Sequence, residues 1–209
     1  MWGDSFAYHL DSGVRRLASE RGFALAEYSA AACPPIVDPQ SELRRGCPAF
    51  NDFVFGRLKE LHFATVVLAA NWMLYSEDLS RQVERTVRAI KAAGVRHVIL
   101  AGPIPSWPSA LPGMLARAAM LSGANTVPPR LGMDSLASTL VRDRVMRDLA
   151  AREGADYISM TDILCGDGRT CLTLVPNAGM TPMQIDTAHL SPEGSVYVVR
   201  ELADRVTVP

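Results

Sequence analysis

Two short apolar runs most constrain this chain: "ATVVLAA" at 64–70 and "RHVILAG" at 96–102. Neither alternates apolar with polar residues, as a strand with one wet face does. Both read as strands buried on two faces, the pattern of a parallel sheet. Parallel neighbours need a long crossover. Between these two runs Leu79, Val83, Val87 and Ile90 mark one face of a helix, with Ser76 as its cap and Gly94 at its end.

The same alternation extends in both directions. Leu10, Val14 and Leu17 step along a helix closed by Gly22, "FALAEYS" (23–29) reads as a strand, and a loop fills 30–50. A helix is expected over 51–62, capped by Asn51. Residues 103–132 read as a proline-rich loop with one short helix near 109–121. Asp134 is placed as the cap of a long helix with Leu136, Leu140, Val141, Val145 and Leu149 inward, and "ADYISM" (155–160) as a strand. A loop or hairpin joins Cys165 to Cys171, and "SPEG" (191–194) opens a final helix with Ser191 as cap and Pro192 in the first turn. The expectation is one α/β domain over 1–209, a three-layer sandwich with a central, mostly parallel sheet flanked by helices.

Composition narrows the partners. The 209 residues carry a net charge of −1, and the arginines are scattered among acids, so nucleic acid is not an expected partner. No apolar run approaches the roughly 20 residues that span a bilayer. The opening "MWGDSFAYHLD" has neither the basic start nor the apolar stretch of an export signal.

The cysteines fall in two local pairs, Cys33 with Cys47 and Cys165 with Cys171. Their spacings are wide for zinc and no histidine lies near them, so no metal is expected. Local disulfides or buried free thiols remain, and disulfides imply an oxidising compartment. With no export signal at its start, such a chain is expected to be a piece of something larger.

Ligands of parallel α/β sheets bind beyond the carboxyl ends of the strands. Three segments there carry chemistry. "GDS" at 3–5 runs straight into a helix, where backbone N–H groups favour an anion, so Ser5 is a candidate nucleophile; the alternative is that Asp4 or Ser5 merely caps the helix. "AANW" places Asn71 at a strand tip, where its amide could aim at an oxyanion or stitch its own loop. "DTAH" sets Asp186 three residues before His189, a spacing that can put a carboxylate beside an imidazole; a surface Asp and a loop His are the alternative. Together Ser5, Asn71, Asp186 and His189 make up a nucleophile, oxyanion donor, orienting acid and base.

This arrangement resembles the SGNH/GDSL hydrolase superfamily, whose blocks read here "WGDSF", "AANW" and "DTAH" in order. More narrowly it is similar to the SGNH domain fused to membrane acyltransferase-3 proteins. That likeness rests on "CPP" (33–35), "CPAFN" (47–51), "VVLAANWMLY" (66–75), "GPIPSWP" (102–108), the Cys165/Cys171 pair and "HLSPEG" (189–194). The chain departs from the family pattern at Phe6, where many relatives have His, at Ala69 in place of Gly, and at Trp72 in place of Asp. Neither Gly46 nor Gly56 is a clear second-block glycine.

The resemblance implies an O-acyltransferase acting through an acyl-serine. His189, oriented by Asp186, would take the Ser5 proton, while the backbone N–H of Ser5 and the Asn71 amide hold the oxyanion. The implied partners are an acyl donor, a glycan acceptor and an upstream membrane acyltransferase domain, on the periplasmic face of a bacterial inner membrane, with no cofactor. A carbohydrate esterase with the same triad, or a silent glycan-binding module, are the rivals. SGNH domains also run a buried strand into GDS, of which at most Met1 and Trp2 remain. The first strand is thus expected to be truncated, and Ser5 poorly held.

Overall fold

The computed structural model describes residues 1–37, 45–74, 78–123, 126–166 and 168–203. Five strands, β1 (Trp2–Gly3), β2 (Tyr28–Ser29), β3 (Thr65–Ala69), β4 (His97–Ala101) and β6 (Asp156–Ile158), form one sheet in the order β2-β1-β3-β4-β6. Every pair in it is parallel. A second, two-stranded antiparallel sheet joins β5 (Arg130–Leu131) to β7 (Cys171–Leu172). The α-helices are α1 (Ser5–Tyr8), α2 (Asp11–Arg21), α3 (Cys47–Leu61), α4 (Asp78–Ala92), α5 (Leu111–Ser122), α6 (Leu136–Arg152), α7 (Met160–Cys165) and α8 (Pro192–Ala203). The fold is α/β, with a parallel sheet flanked by helices.

The chain divides into two compact units. The first comprises Met1–Tyr8, Ala26–Pro103 and Val141–Ser159 and contains the whole five-stranded sheet. Its core joins Val66, Leu68, Val98 and Leu100 of the strands to Val54 and Leu58 of α3, Val83, Val87 and Ile90 of α4, and Met146 and Leu149 of α6. Leu68, Leu100 and Ile90 are fully buried, and each such side chain stabilises the fold by about 1.5–3 kcal/mol relative to exposure. The second unit comprises His9–Leu25, Ile104–Leu140 and Met160–Pro209. Here α2 packs on α8 so closely that Gly13 has no room for a side chain: an added Cβ would lie 2.4 Å from the Ser195 carbonyl oxygen. Across this contact the Gly13 N–H donates to Ser195 Oγ at 3.0 Å.

Both cysteine pairs are disulfides, Cys33–Cys47 and Cys165–Cys171. Gly22 closes α2 in the left-handed conformation, with its N–H on the Ala18 carbonyl. Ser191 caps α8, accepting the Gly194 N–H at 3.0 Å.

Other elements differ from expectation. The strand expected over 23–29 is confined to Tyr28–Ser29. Helix α3 starts at Cys47, with Gly46 before it and Pro48 in its first turn, so Asn51 is interior. Asn51 is buried and links distant segments instead, accepting from the Trp2 indole at 3.0 Å and donating to the Pro34 carbonyl at 2.9 Å. Val141 and Val145 are exposed because the inward face of α6 runs through Leu136, Thr139, Asp143, Met146 and Leu149. Helix α7 and strand β5 were not anticipated, and β7 pairs with β5 rather than forming a local hairpin. Ser76, the expected cap of α4, lies outside the described residues, as does the Leu79 side chain.

Strand β1 is indeed short, yet it is bonded on both sides. Trp2 registers with Tyr28 on one side and Leu68 on the other, and Gly3 with Ser29 and Ala69. Only glycine fits at position 3, where a Cβ would fall 1.7 Å from the Ala69 oxygen. The expectation of a poorly held Ser5 is not met, because both neighbouring strands grip the residues that lead into it.

Candidate active site

In the first unit, strand order reverses between β1 and β3, since the chain passes from β1 to β2 on one side and to β3 on the other. That reversal is where an open parallel sheet leaves a crevice for ligand. Ser5 follows β1 by two positions, and Asn71 follows β3 by two. Between them sits Asp4, 1% exposed. Its Oδ1 accepts the Phe6 N–H at 2.7 Å and its Oδ2 accepts the Asn71 N–H at 2.9 Å. Its own N–H donates to the Ala69 carbonyl at 3.3 Å. One carboxylate therefore ties the Ser5 turn to the Asn71 turn.

Of the two roles weighed for the GDS segment, capping falls to Asp4. Asp4 is the residue whose side chain caps α1. Ser5 is the first residue of the helix and is half-buried. Its N–H lies in the first turn, among groups a helix cannot satisfy internally. After Asn71, Trp72 opens a 3₁₀ turn and is locked into the core by its indole N–H on the Ala101 carbonyl at 2.6 Å. Gly46 precedes α3 with φ of 93°, and Gly56 lies within that helix.

In the second unit, the turn before α8 brings Asp186 and His189 together. His189 Nδ1 lies 2.7 Å from Asp186 Oδ2. Asp186 Oδ1 accepts the backbone N–H groups of Ala188 and His189, both at 2.8 Å. Burial pushes the Asp186 carboxyl up, but those two N–H groups and the His189 ring outweigh it and hold the group below the ordinary carboxylate range. It is therefore an anion at neutral pH, suited to fixing the tautomer of His189 and stabilising its protonated form. The His189 side chain is 32% exposed.

Several residues around these pairs carry no short-range signal in the sequence. His9 packs edge-on against His189, with ring centroids 5.9 Å apart. Burial lowers its pKa to about 3, so it stays neutral beside His189. Gln184 and Trp107, both buried, are hydrogen-bonded to each other beneath the Asp186–His189 turn. In the first unit, buried Asp143 accepts Tyr157 Oη at 2.7 Å and Ser159 Oγ at 2.8 Å, pinning the end of β6 to α6. Each of these contacts joins residues distant in sequence or buries a polar side chain where periodicity leads one to expect an apolar one. Among the described residues, no three His, Cys, Asp or Glu side chains gather as a metal site requires.

Comparison with known proteins gives two findings. A family profile described as "SGNH domain (fused to AT3 domains)" matches residues 1–204. Among solved structures, the chain is similar to the periplasmic domain of the Salmonella ser. Paratyphi A lipopolysaccharide acetyltransferase. The TM-score is 0.78 at 23% identity, over 97% of this chain and 80% of that one. No protein of curated function matches by sequence.

Proposed function

The chain belongs to the family of SGNH domains fused to AT3 domains, and on that premise we propose that it is the acyl-transfer domain of a membrane acyltransferase. The observation that carries this reading is the Asp186–His189 pair, closed at 2.7 Å with the acid further fixed by two backbone N–H groups. In the proposed cycle His189 removes the Ser5 proton as Ser5 attacks an acyl ester, and the leaving group departs with a proton from His189. The backbone N–H of Ser5 and the Asn71 amide stabilise the oxyanion. A sugar hydroxyl then attacks the acyl-serine, with His189 again as base, and Ser5 is regenerated. The residues invoked lie in both compact units, so the proposal treats 1–209 as one SGNH-type domain. The family match, which runs across both units, supports that.

The proposed location is the periplasmic side of a bacterial inner membrane, with an AT3 domain upstream as acyl source and a glycan as acceptor. Two disulfides support an oxidising compartment. No helix among the described residues is long and apolar enough to cross a membrane, so in this reading attachment comes from the fused domain. Hydrolysis is the second reading, favoured by the exposure of His189 to water.

The test is acetyl release from an activated ester by the purified domain, with and without oligosaccharide acceptors. Ser5→Ala or His189→Ala should lower the rate by at least about 10³-fold, with the melting temperature little changed. An unchanged rate in Ser5→Ala removes Ser5 as nucleophile. Water outcompeting every acceptor selects the esterase.

A further inference from the structure

The segment "GPIPSWP" at 102–108 has no part in the mechanism above. We infer that Gln184, held by Trp107, is a positioning residue for the Asp186–His189 pair, acting by clamping the peptide groups that bind the Asp186 carboxylate. The inference rests on the reading of that pair as acid and base.

A peptide unit is planar and rigid, so its C=O and N–H move together. Asp186 Oδ1 is held by two such units. In one, the Ala188 N–H donates to Oδ1 at 2.8 Å, while the Thr187 carbonyl at its other end accepts the Trp107 N–H at 2.8 Å. In the next, the His189 N–H donates to Oδ1 at 2.8 Å, while the Ala188 carbonyl accepts Gln184 Nε2 at 2.9 Å. Both units are thus gripped at both ends, one by the backbone of the 102–108 segment and one by the Gln184 side chain.

Gln184 is itself fixed. Its second N–H donates to the Pro105 carbonyl at 3.1 Å and its Oε1 accepts the Trp107 indole N–H. Gln184 is 2% exposed and Trp107 3%, so no water replaces these bonds easily. Proline at 105 locks φ of the residue that supplies the acceptor. The Asp186 carbonyl is also tied, to the Leu111 N–H at 3.0 Å. Losing the carboxamide frees the Ala188–His189 peptide to rotate, which loosens its grip on Oδ1 and, through Oδ2, the orientation of the His189 ring. Misplacements of about 1 Å in a reacting group cost up to about 10²-fold in rate.

The experiment uses the whole chain. Gln184→Met keeps the volume and removes both donors. Its kcat on an activated acetyl ester should fall about 10- to 100-fold with KM within about twofold. The downfield proton resonance of the His189 Nδ1–H···Asp186 bond should broaden or vanish. Gln184→Glu keeps an acceptor for Trp107 but loses the donor to Ala188, and should be impaired alike. Trp107→Phe removes the indole N–H together with part of the ring, keeps the Trp107 backbone N–H on Thr187, and should move kcat and the resonance in the same direction, less far. Should Gln184→Met not fold, Trp107→Phe carries the test. A folded Gln184→Met with wild-type kcat, or a Trp107→Phe with unchanged kcat and unchanged resonance, overturns the inference. Failure of the underlying reading looks different: Ser5→Ala and Asp186→Asn would then leave the wild-type rate intact, while the resonance still reports on the clamp.

Discussion

A single carboxylate does most to organise the front of the candidate site. Asp4 accepts the Phe6 N–H on one oxygen and, on the other, the N–H of Asn71, 67 residues further along than Asp4. A carboxylate suits this because it is acceptor on both sides, whereas an asparagine presents one acceptor and one donor. Asp4→Asn therefore has to give up one of the two turns. The expected result is a loss of about 1–3 kcal/mol in stability, as a buried N–H is left unpaired, with a fall of ester cleavage larger than any change in KM. Denaturant unfolding and steady-state kinetics check both parts. The two segments that the proposed mechanism uses, GDS and D-x-x-H, were legible in the sequence because each is compact. Asp4's second bond and the Gln184–Trp107 contact were not, since each links residues brought together only by the fold.

Among the elements, the legible ones were those long enough to show a period. Strands β3 and β4 and helix α4 announced themselves through runs and repeats. Strands of two residues, such as β1, β2, β5 and β7, have no period to read. Helix α6 misled because polar Thr139 and Asp143 sit on its buried face, so the apolar Val141 and Val145 pointed to the wrong side. The pairing of α2 with α8 was equally hidden, since it depends on a missing side chain. Gly13→Ala should force the two helices apart or distort them, with the Ser195 carbonyl 2.4 Å from the new Cβ. Overpacking of this kind costs about 1–3 kcal/mol, read as a lower melting temperature. An unchanged melting temperature would mean that the helix pair yields without cost.

At the scale of the whole molecule, acid should weaken the fold through His9. Its pKa is lowered from 6.5 to about 3 in the folded state, chiefly by burial, next by His189, with Asp186 opposing. Below pH 6.5 the unfolded chain takes up a proton that the folded one refuses, so stability falls as pH drops towards 3. The slope is at most about 1.4 kcal/mol per pH unit. Between pH 7 and 5 the melting temperature should fall by about 4–8 °C from this group, and His9→Gln should flatten the dependence in a calorimetric series. Asp186, held below its ordinary range, adds loss in the same direction at lower pH. The contact between Gly13 and Ser195 also has a meaning in time. These residues stand 182 apart in the chain, so at 5–20 residues per second a ribosome releases the second about 10–40 s after the first. Helix α2 spends that interval without its partner, and a nascent chain stalled before α8 offers a chaperone the bare face of α2 on which Gly13 sits.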